Sequence, residues 1–279
     1  MKSCLACRLD FDSPGWSCPH CGREARPEPS SAFDERAFAR LARLEPASFW
    51  FRSRNRLILW ALRRFLPETR KFLEVGCGTG FVLAAVAEAF PGVEVYGGEG
   101  STAGLAYAAA RAPRARLFPL NVLEMPFREE FDAIGAFDVL EHLDDDGAAL
   151  RGIARALKPG GGLIATVPQH RFLWSAVDAF SGHRRRYEAG ELEAKAAAAG
   201  LRVVLSTSFV SLLLPLAFAS RLRYRKEFGE RDADSELSTG GLAGSLLEAV
   251  LGAERRLIEL GARFPFGASR LIVALKTAR

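Results

Sequence analysis

"KFLEVGCGTGFVLAAVAEAF", residues 71–90, decides how this chain is read. Lys71–Val75 is a short apolar run. It gives way to Gly76, Gly78 and Gly80 at alternate positions, and a second apolar run follows from Phe81 to Phe90. The pattern predicts a strand, a tight turn and a helix. A glycine-rich turn at that junction lets a ligand approach the backbone beside a helix N-terminus. The dinucleotide fingerprint G-x-G-x-x-G needs its third glycine at position 81, where Phe81 stands. That argues against an oxidoreductase on the same kind of fold. Glu74 precedes the glycines instead. A carboxylate there repels a pyrophosphate and suits a cationic ligand, such as an amino-acid ammonium group.

The strands predicted after this turn end in residues of one theme. Glu94–Gly98 is followed by Glu99 and Gly100, with Glu99 lying 23 residues past Gly76. An acid at that distance accepts the two hydroxyls of a ribose. Ala115–Leu120 runs into Asn121, Val122 and Leu123. Phe131–Phe137 runs into "DVLEHL", residues 138–143, and Asp144–Asp146 open a helix, as acids favour helix N-termini. "LKPGGGLIATVP", residues 157–168, turns into a fifth strand over Leu163–Val167. Strands alternating with helices predict an α/β fold with a parallel sheet.

At this point the chain resembles the class I S-adenosylmethionine-dependent methyltransferases, over roughly residues 70–209, with "FLEVGCGTG" and "FDAIGAFDVLEHL" as the specific combination. The resemblance implies a Rossmann-like sheet of seven strands with flanking helices and an antiparallel last strand. Leu201–Ser206 and Arg270–Lys276 are then its sixth and seventh strands. It implies S-adenosylmethionine as cofactor, with Glu74, Gly76, Cys77, Gly78 and Gly80 around the methionine part and Glu99 and Gly100 at the ribose. Asn121, Val122 and Leu123 are then at the adenine, and Phe137 lines the pocket. The family more often carries Asp at the position of Asn121. Residues 33–67 read as a helical cap, which resembles the N-terminal helix of bacterial methyltransferases that share Trp174, Asp178 and "GHRRRY" (182–187). In those proteins such a cap covers the cofactor, so Trp50, Arg52 or Arg54 is expected to touch it.

The acceptor has to lie beyond the carboxyl ends of the strands. His142, His170 and His183 fall there, and a histidine can act as a base near neutral pH. His183, Tyr187 and His142 are therefore the candidate catalytic residues. Arg184, Arg185 and Arg186 are either a clamp for an anionic acceptor or a solvated turn. Residues 210–268 form an insertion before the last strand. Within 209–226 an apolar block runs into Arg221, Arg223, Arg225 and Lys226, as in a helix lying on a membrane surface. A second amphipathic segment carries Leu246, Val250, Leu257 and Leu260 on one side, and both segments could instead pack over the sheet.

The amino terminus is a separate module. Cys4-x2-Cys7 and Cys18-x2-Cys21 are two knuckles, each able to aim two thiolates at one ion. Residues 1–25 are read as a zinc ribbon, and the Pro- and Ser-rich residues 26–32 as a linker to a domain spanning 33–279. Residues 1–70 hold 13 Lys/Arg against 8 Asp/Glu, and residues 71–279 hold 25 of each. The basic surplus thus sits next to the ribbon, where it can meet RNA, anionic lipid or solvent. No opening signal peptide or apolar span of about 20 residues is present, which predicts a cytoplasmic protein, with peripheral membrane contact as an option. The function expected is methyl transfer to a small-molecule or lipid-linked acceptor, with an RNA methyltransferase as the alternative.

Overall fold

The computed structural model describes residues 2–7, 9–11, 18–21, 35–229, 232 and 241–277. Residues 26–32, read as a linker, lie outside the described residues, as do most of 230–240. Among the described residues nine strands form one sheet: β1 (Lys2–Ser3), β2 (Asp10–Phe11), β3 (Lys71–Val75), β4 (Glu94–Glu99), β5 (Arg116–Pro119), β6 (Phe131–Phe137), β7 (Leu157–Pro168), β8 (Leu201–Phe209) and β9 (Ser269–Lys276). Their spatial order is β2-β1-β5-β4-β3-β6-β7-β9-β8. β3 to β7 run parallel, and β9 enters antiparallel between β7 and β8. The seven strands from β3 onward are the predicted mixed sheet. Phe72, Leu73 and Val75 are fully buried and Ile134 and Ala136 likewise, because helices cover both faces of the parallel strands.

Among the described residues the helices are α1 (Glu35–Leu44), α2 (Phe49–Phe65), α3 (Phe81–Ala89), α4 (Thr102–Arg111), α5 (Asp146–Ala156), α6 (Ala176–Phe180), α7 (Glu191–Ala198), α8 (Leu214–Arg223) and α9 (Gly241–Glu259). Three elements correct the sequence reading. The cap is two helices and not one, broken over Glu45–Ser48 around Pro46, whose ring and missing N–H stop a helix. The fifth strand begins at Leu157 and not Leu163, since Gly161 and Gly162 let the backbone pass tightly between neighbours. A Cβ on Gly161 would lie 2.8 Å from the Asp132 carbonyl oxygen.

The third correction concerns α9. Its buried face is Gly244, Leu251, Glu254 and Ile258, packed toward α2 and the sheet. Leu246 is 66% exposed, Leu257 44% and Leu260 86%, so the predicted apolar stripe faces outward. Both sides of the helix are apolar. Glu254 selects the inward one because its carboxylate accepts the amides of Ser211 and Leu212 at 2.7 and 2.8 Å. Arg52 and Arg56 of α2 bind Glu248 and fasten α9 to the cap.

The cysteine module also joins the sheet. β1 pairs in parallel with β5 through Lys2 and Leu117, and Arg116 lies 3.4 Å from Asp10.

Candidate functional site

The site lies at the carboxyl ends of β3, β4 and β6. Gly76, Gly78 and Gly80 have φ of 65°, 52° and 76°, left-handed values that L side chains resist. A Cβ on Gly80 would meet the backbone of Ala108 at 2.9 Å, so that glycine also lets α3 approach α4. Beside Gly78 the space is open as far as Phe38 of α1, 4.0 Å from an added Cβ.

Two acids frame this turn in different ways. Glu99 accepts the amide of Gly78 at 2.8 Å and that of Ser101 at 3.0 Å, which locks the strand end to the glycine turn. Glu74 is 3% exposed, and its Oε2 has no hydrogen-bond partner. Burial raises its carboxyl pKa well above the usual range, against the opposing pull of Arg54. A buried, unpartnered acceptor at a turn with open space is a receptor for a cationic or donor group.

The cap closes over this region. Phe38 lies against Gly104 and close to the Glu99 side chain. Glu45, at the break between α1 and α2, accepts the Thr79 hydroxyl at 2.5 Å and pairs with Arg111. Arg54 of α2 is buried, bonds to Asp138 and stacks over the Trp50 ring at 4.8 Å. Asp138 itself has φ of 56°, a strained conformation for a residue with a side chain, and such strain is common at functional sites. Arg54 thus reaches Asp138 at the end of β6 with Trp50 against it, whereas Arg52 turns away to Glu248.

Beyond Asp138 stands a second constellation. Glu141 is fully buried. The turn at 182–185 is laced to it: the Arg184 amide donates to the Glu141 carbonyl at 2.9 Å, and the Arg184 side chain to the His142 carbonyl at 2.8 Å. This lacing sets the His183 ring 5.0 Å from that of His142. Desolvation, helped by His183, pushes His142 down to about 4, so it is neutral near pH 7. Asp178 binds His183 Nδ1 at 2.9 Å and Arg186 Nε at 2.7 Å. Burial alone would raise the Asp178 pKa, but these partners hold it below its usual value.

Several predicted residues have other tasks. Tyr187 is fully buried and donates to Asp146 at 2.5 Å, so it is a core anchor and not an acceptor-side group. Phe137 turns into the core over Gly135 and Phe72 instead of lining a pocket. Arg184 and Arg185 are tied to residues 142–146 and Arg186 to Asp178, which corrects the reading of a free anion clamp. Burial raises the Cys77 thiol, which packs inward toward Gly97. The Asn121 carbonyl oxygen caps the following turn by accepting the Leu123 amide, while Val122 is buried and Leu123 is 37% exposed. Gly100 follows Glu99 as expected from their order. His170 is buried, with φ of 64°, between the rings of Phe172 and Phe266.

Residues that sequence reasoning missed are Phe38, Glu45 and Glu141. The first two belong to a cap whose path over the sheet no local pattern encodes. Glu141 could have been noted from its place beside His142.

The four amino-terminal cysteines converge. Cys4 and Cys21 sulfurs are 3.6 Å apart, as are those of Cys7 and Cys18, and all four lie within 4.8 Å of one another. These are not disulfide distances, which are about 2 Å. Four thiolates around one ion at about 2.3 Å stand about 3.8 Å apart, which matches.

Residues 73–165 match the family described as "Methyltransferase domain". The chain carries a methyltransferase domain. It is 28% identical over 223 residues to a probable S-adenosylmethionine-dependent methyltransferase of Mycobacterium tuberculosis, covering 75% of this chain and 71% of that one. It is 35% identical over 100 residues to a ubiquinone biosynthesis O-methyltransferase of Nitrobacter winogradskyi, covering 34% and 38%. Among solved structures, Haemonchus contortus phosphoethanolamine N-methyltransferase 2 in complex with S-adenosyl-L-methionine shares the fold, with a TM-score of 0.53 and 22% identity, over 77% of this chain and 51% of that one. The chain is thus an S-adenosylmethionine-dependent methyltransferase, and its glycine turn, Glu74 and Glu99 lie within the matched residues.

Proposed function

We propose that this methyltransferase transfers a methyl group to a small-molecule acceptor that is lipid-linked, working at a membrane surface. The single observation behind this reading is the apolar rim on the acceptor side. None of the residues of α8 is buried, and Leu216, Phe218 and Leu222 are exposed. Phe172 meets Phe218 edge-on, and Phe266 stacks on His170. The outward stripe of α9, with Leu242, Leu246 and Leu257, continues to Leu260 just past its end and adds a second apolar face. Contiguous exposed apolar surface of this kind marks an interaction site. Arg223, Arg225 and Lys226 at the end of α8 supply positive charge that suits anionic headgroups. Among the described residues no helix is long and apolar enough to cross a membrane, so contact of this type would be peripheral.

Glu74, the backbone of Gly76, Cys77, Gly78 and Gly80, and Glu99 with Gly100 would hold the cofactor. The fit rests on Glu74, whose orphaned oxygen offers the amino-acid ammonium group a buried acceptor. When bound, the cofactor supplies an electrophilic methyl group on a positively charged sulfur. The chain's own residues orient it: Phe38 and α1 exclude water at the ribose end, and Arg54 balances Glu74 and Asp138. His142 and His183 stand at the acceptor end. The cysteine cluster would hold zinc, which stabilises a segment too small to bury a core.

Flotation with vesicles tests the acceptor reading. Binding to vesicles containing anionic lipid, lost in Leu216→Glu/Phe218→Glu, is expected. No flotation, together with RNA affinity that falls steeply with salt, would favour the RNA alternative.

A further inference from the structure

We propose that Glu141, His142 and His183 form a second metal site, distinct from the cysteine cluster, which takes a divalent transition-metal cation at the acceptor end of the cleft. One ligand atom from each of the three residues lies within 4.8 Å of the others. The Glu141 Oε1 to His183 Nε2 distance is 3.9 Å, too long for a hydrogen bond. Ligands each about 2.1 Å from one tetrahedral ion stand about 3.4 Å apart, so a shift of about half an ångström closes this pair and shifts of at most about 1.4 Å close the set.

Glu141 supplies the independent observation. It is fully buried, and both its carboxylate oxygens lack a hydrogen-bond partner from another residue. The neighbouring arginines are committed elsewhere, Arg54 to Asp138 and Arg186 to Asp178. A buried carboxylate without a bonded cation carries a large desolvation cost, which a bound metal ion would offset.

The outer shell is built as metal-binding histidines require. His183 Nδ1 faces the Asp178 carboxylate at 2.9 Å, which can only accept, so Nδ1 carries the proton and the Nε2 lone pair points at Glu141. Asp178 is held in turn by the Ser175 amide and by Arg186. His142 Nδ1 faces the Gly182 carbonyl at 3.2 Å, which fixes the same tautomer. Two imidazoles and one carboxylate favour ions such as Zn²⁺, Co²⁺, Fe²⁺ or Mn²⁺ and leave coordination positions open.

An open position beside the methyl donor selects an oxygen acceptor; this part rests on the methyltransferase reading above. A hydroxyl or enol oxygen bound to the ion loses its proton to water more readily. The new C–O bond then forms as the C–S bond breaks, and the sulfonium charge is discharged as a neutral thioether leaves.

Cobalt titration of metal-stripped full-length protein tests the site. Two equivalents are expected per chain. One shows the intense thiolate charge-transfer bands of the cysteine cluster, and the other shows only weak bands of nitrogen and oxygen ligation. Glu141→Gln, which keeps the shape, and His183→Ala should each lose the second equivalent and keep the first. A single thiolate-type equivalent in the wild type, or two unchanged equivalents in Glu141→Gln, would overturn the proposal. Cofactor binding by calorimetry on the same samples separates the two readings. If it persists while the second equivalent is missing, only the metal site fails.

Discussion

Glu74→Gln isolates the physical basis of cofactor capture, because the variant keeps the side chain's shape and removes only its charge. Glu74 is 3% exposed, so water does not screen a charge placed against it. Removing one partner of a buried charge pair costs about 2–5 kcal/mol. At about 1.4 kcal/mol per factor of ten, the lower end is roughly a thirtyfold loss of affinity for S-adenosylmethionine at pH 7.5. The cofactor-free protein should respond in the opposite sense. Burial raises the folded-state pKa of Glu74 above its ordinary 4.5, so the native protein holds this proton to higher pH than the unfolded chain does. Wild-type stability therefore falls as pH climbs from about 4.5 through the raised value, and the glutamine variant lacks that loss. Calorimetry gives the affinity, and urea unfolding across pH 4–8 gives the stability. The reasoning is refuted if the variant binds the cofactor within about threefold of wild type, or if the two stability profiles run parallel.

Three further outcomes follow from named contacts. Glu99→Ala frees the amides of Gly78 and Ser101 and should weaken cofactor binding at least about tenfold, on the order of 1.4 kcal/mol; an unaltered affinity in calorimetry removes Glu99 from the site. Tyr187→Phe loses one bond to a carboxylate and should lower unfolding stability by about 1.5–3 kcal/mol with kcat intact. A collapse of kcat at unchanged Tm would return Tyr187 to the acceptor side. Cys18→Ser should lower zinc content by one ion per chain and expose residues 1–25 to protease, and unchanged zinc by elemental analysis would contradict the four-thiolate assignment.

The local sequence determined the strand–turn–helix at 71–90, the acids at strand ends and the pairing of the four cysteines into knuckles. Each is a matter of near neighbours: alternate glycines allow left-handed backbone, and each Cys-x2-Cys turn can aim two sulfurs at one point. The partners of those residues were decided by tertiary structure alone. Tyr187 looked like an acceptor-side group beside three arginines, yet its hydroxyl reaches Asp146, 41 residues away in sequence. On α9 both sides are apolar, so periodicity could not say which is buried. Glu254 chose by finding the amides of Ser211 and Leu212. Glu141 and His183 come together only because the 182–185 turn bonds back onto the end of β6. Spacing along the chain records what each residue can do, and contacts between distant segments, which carry no local signature, decide what it does.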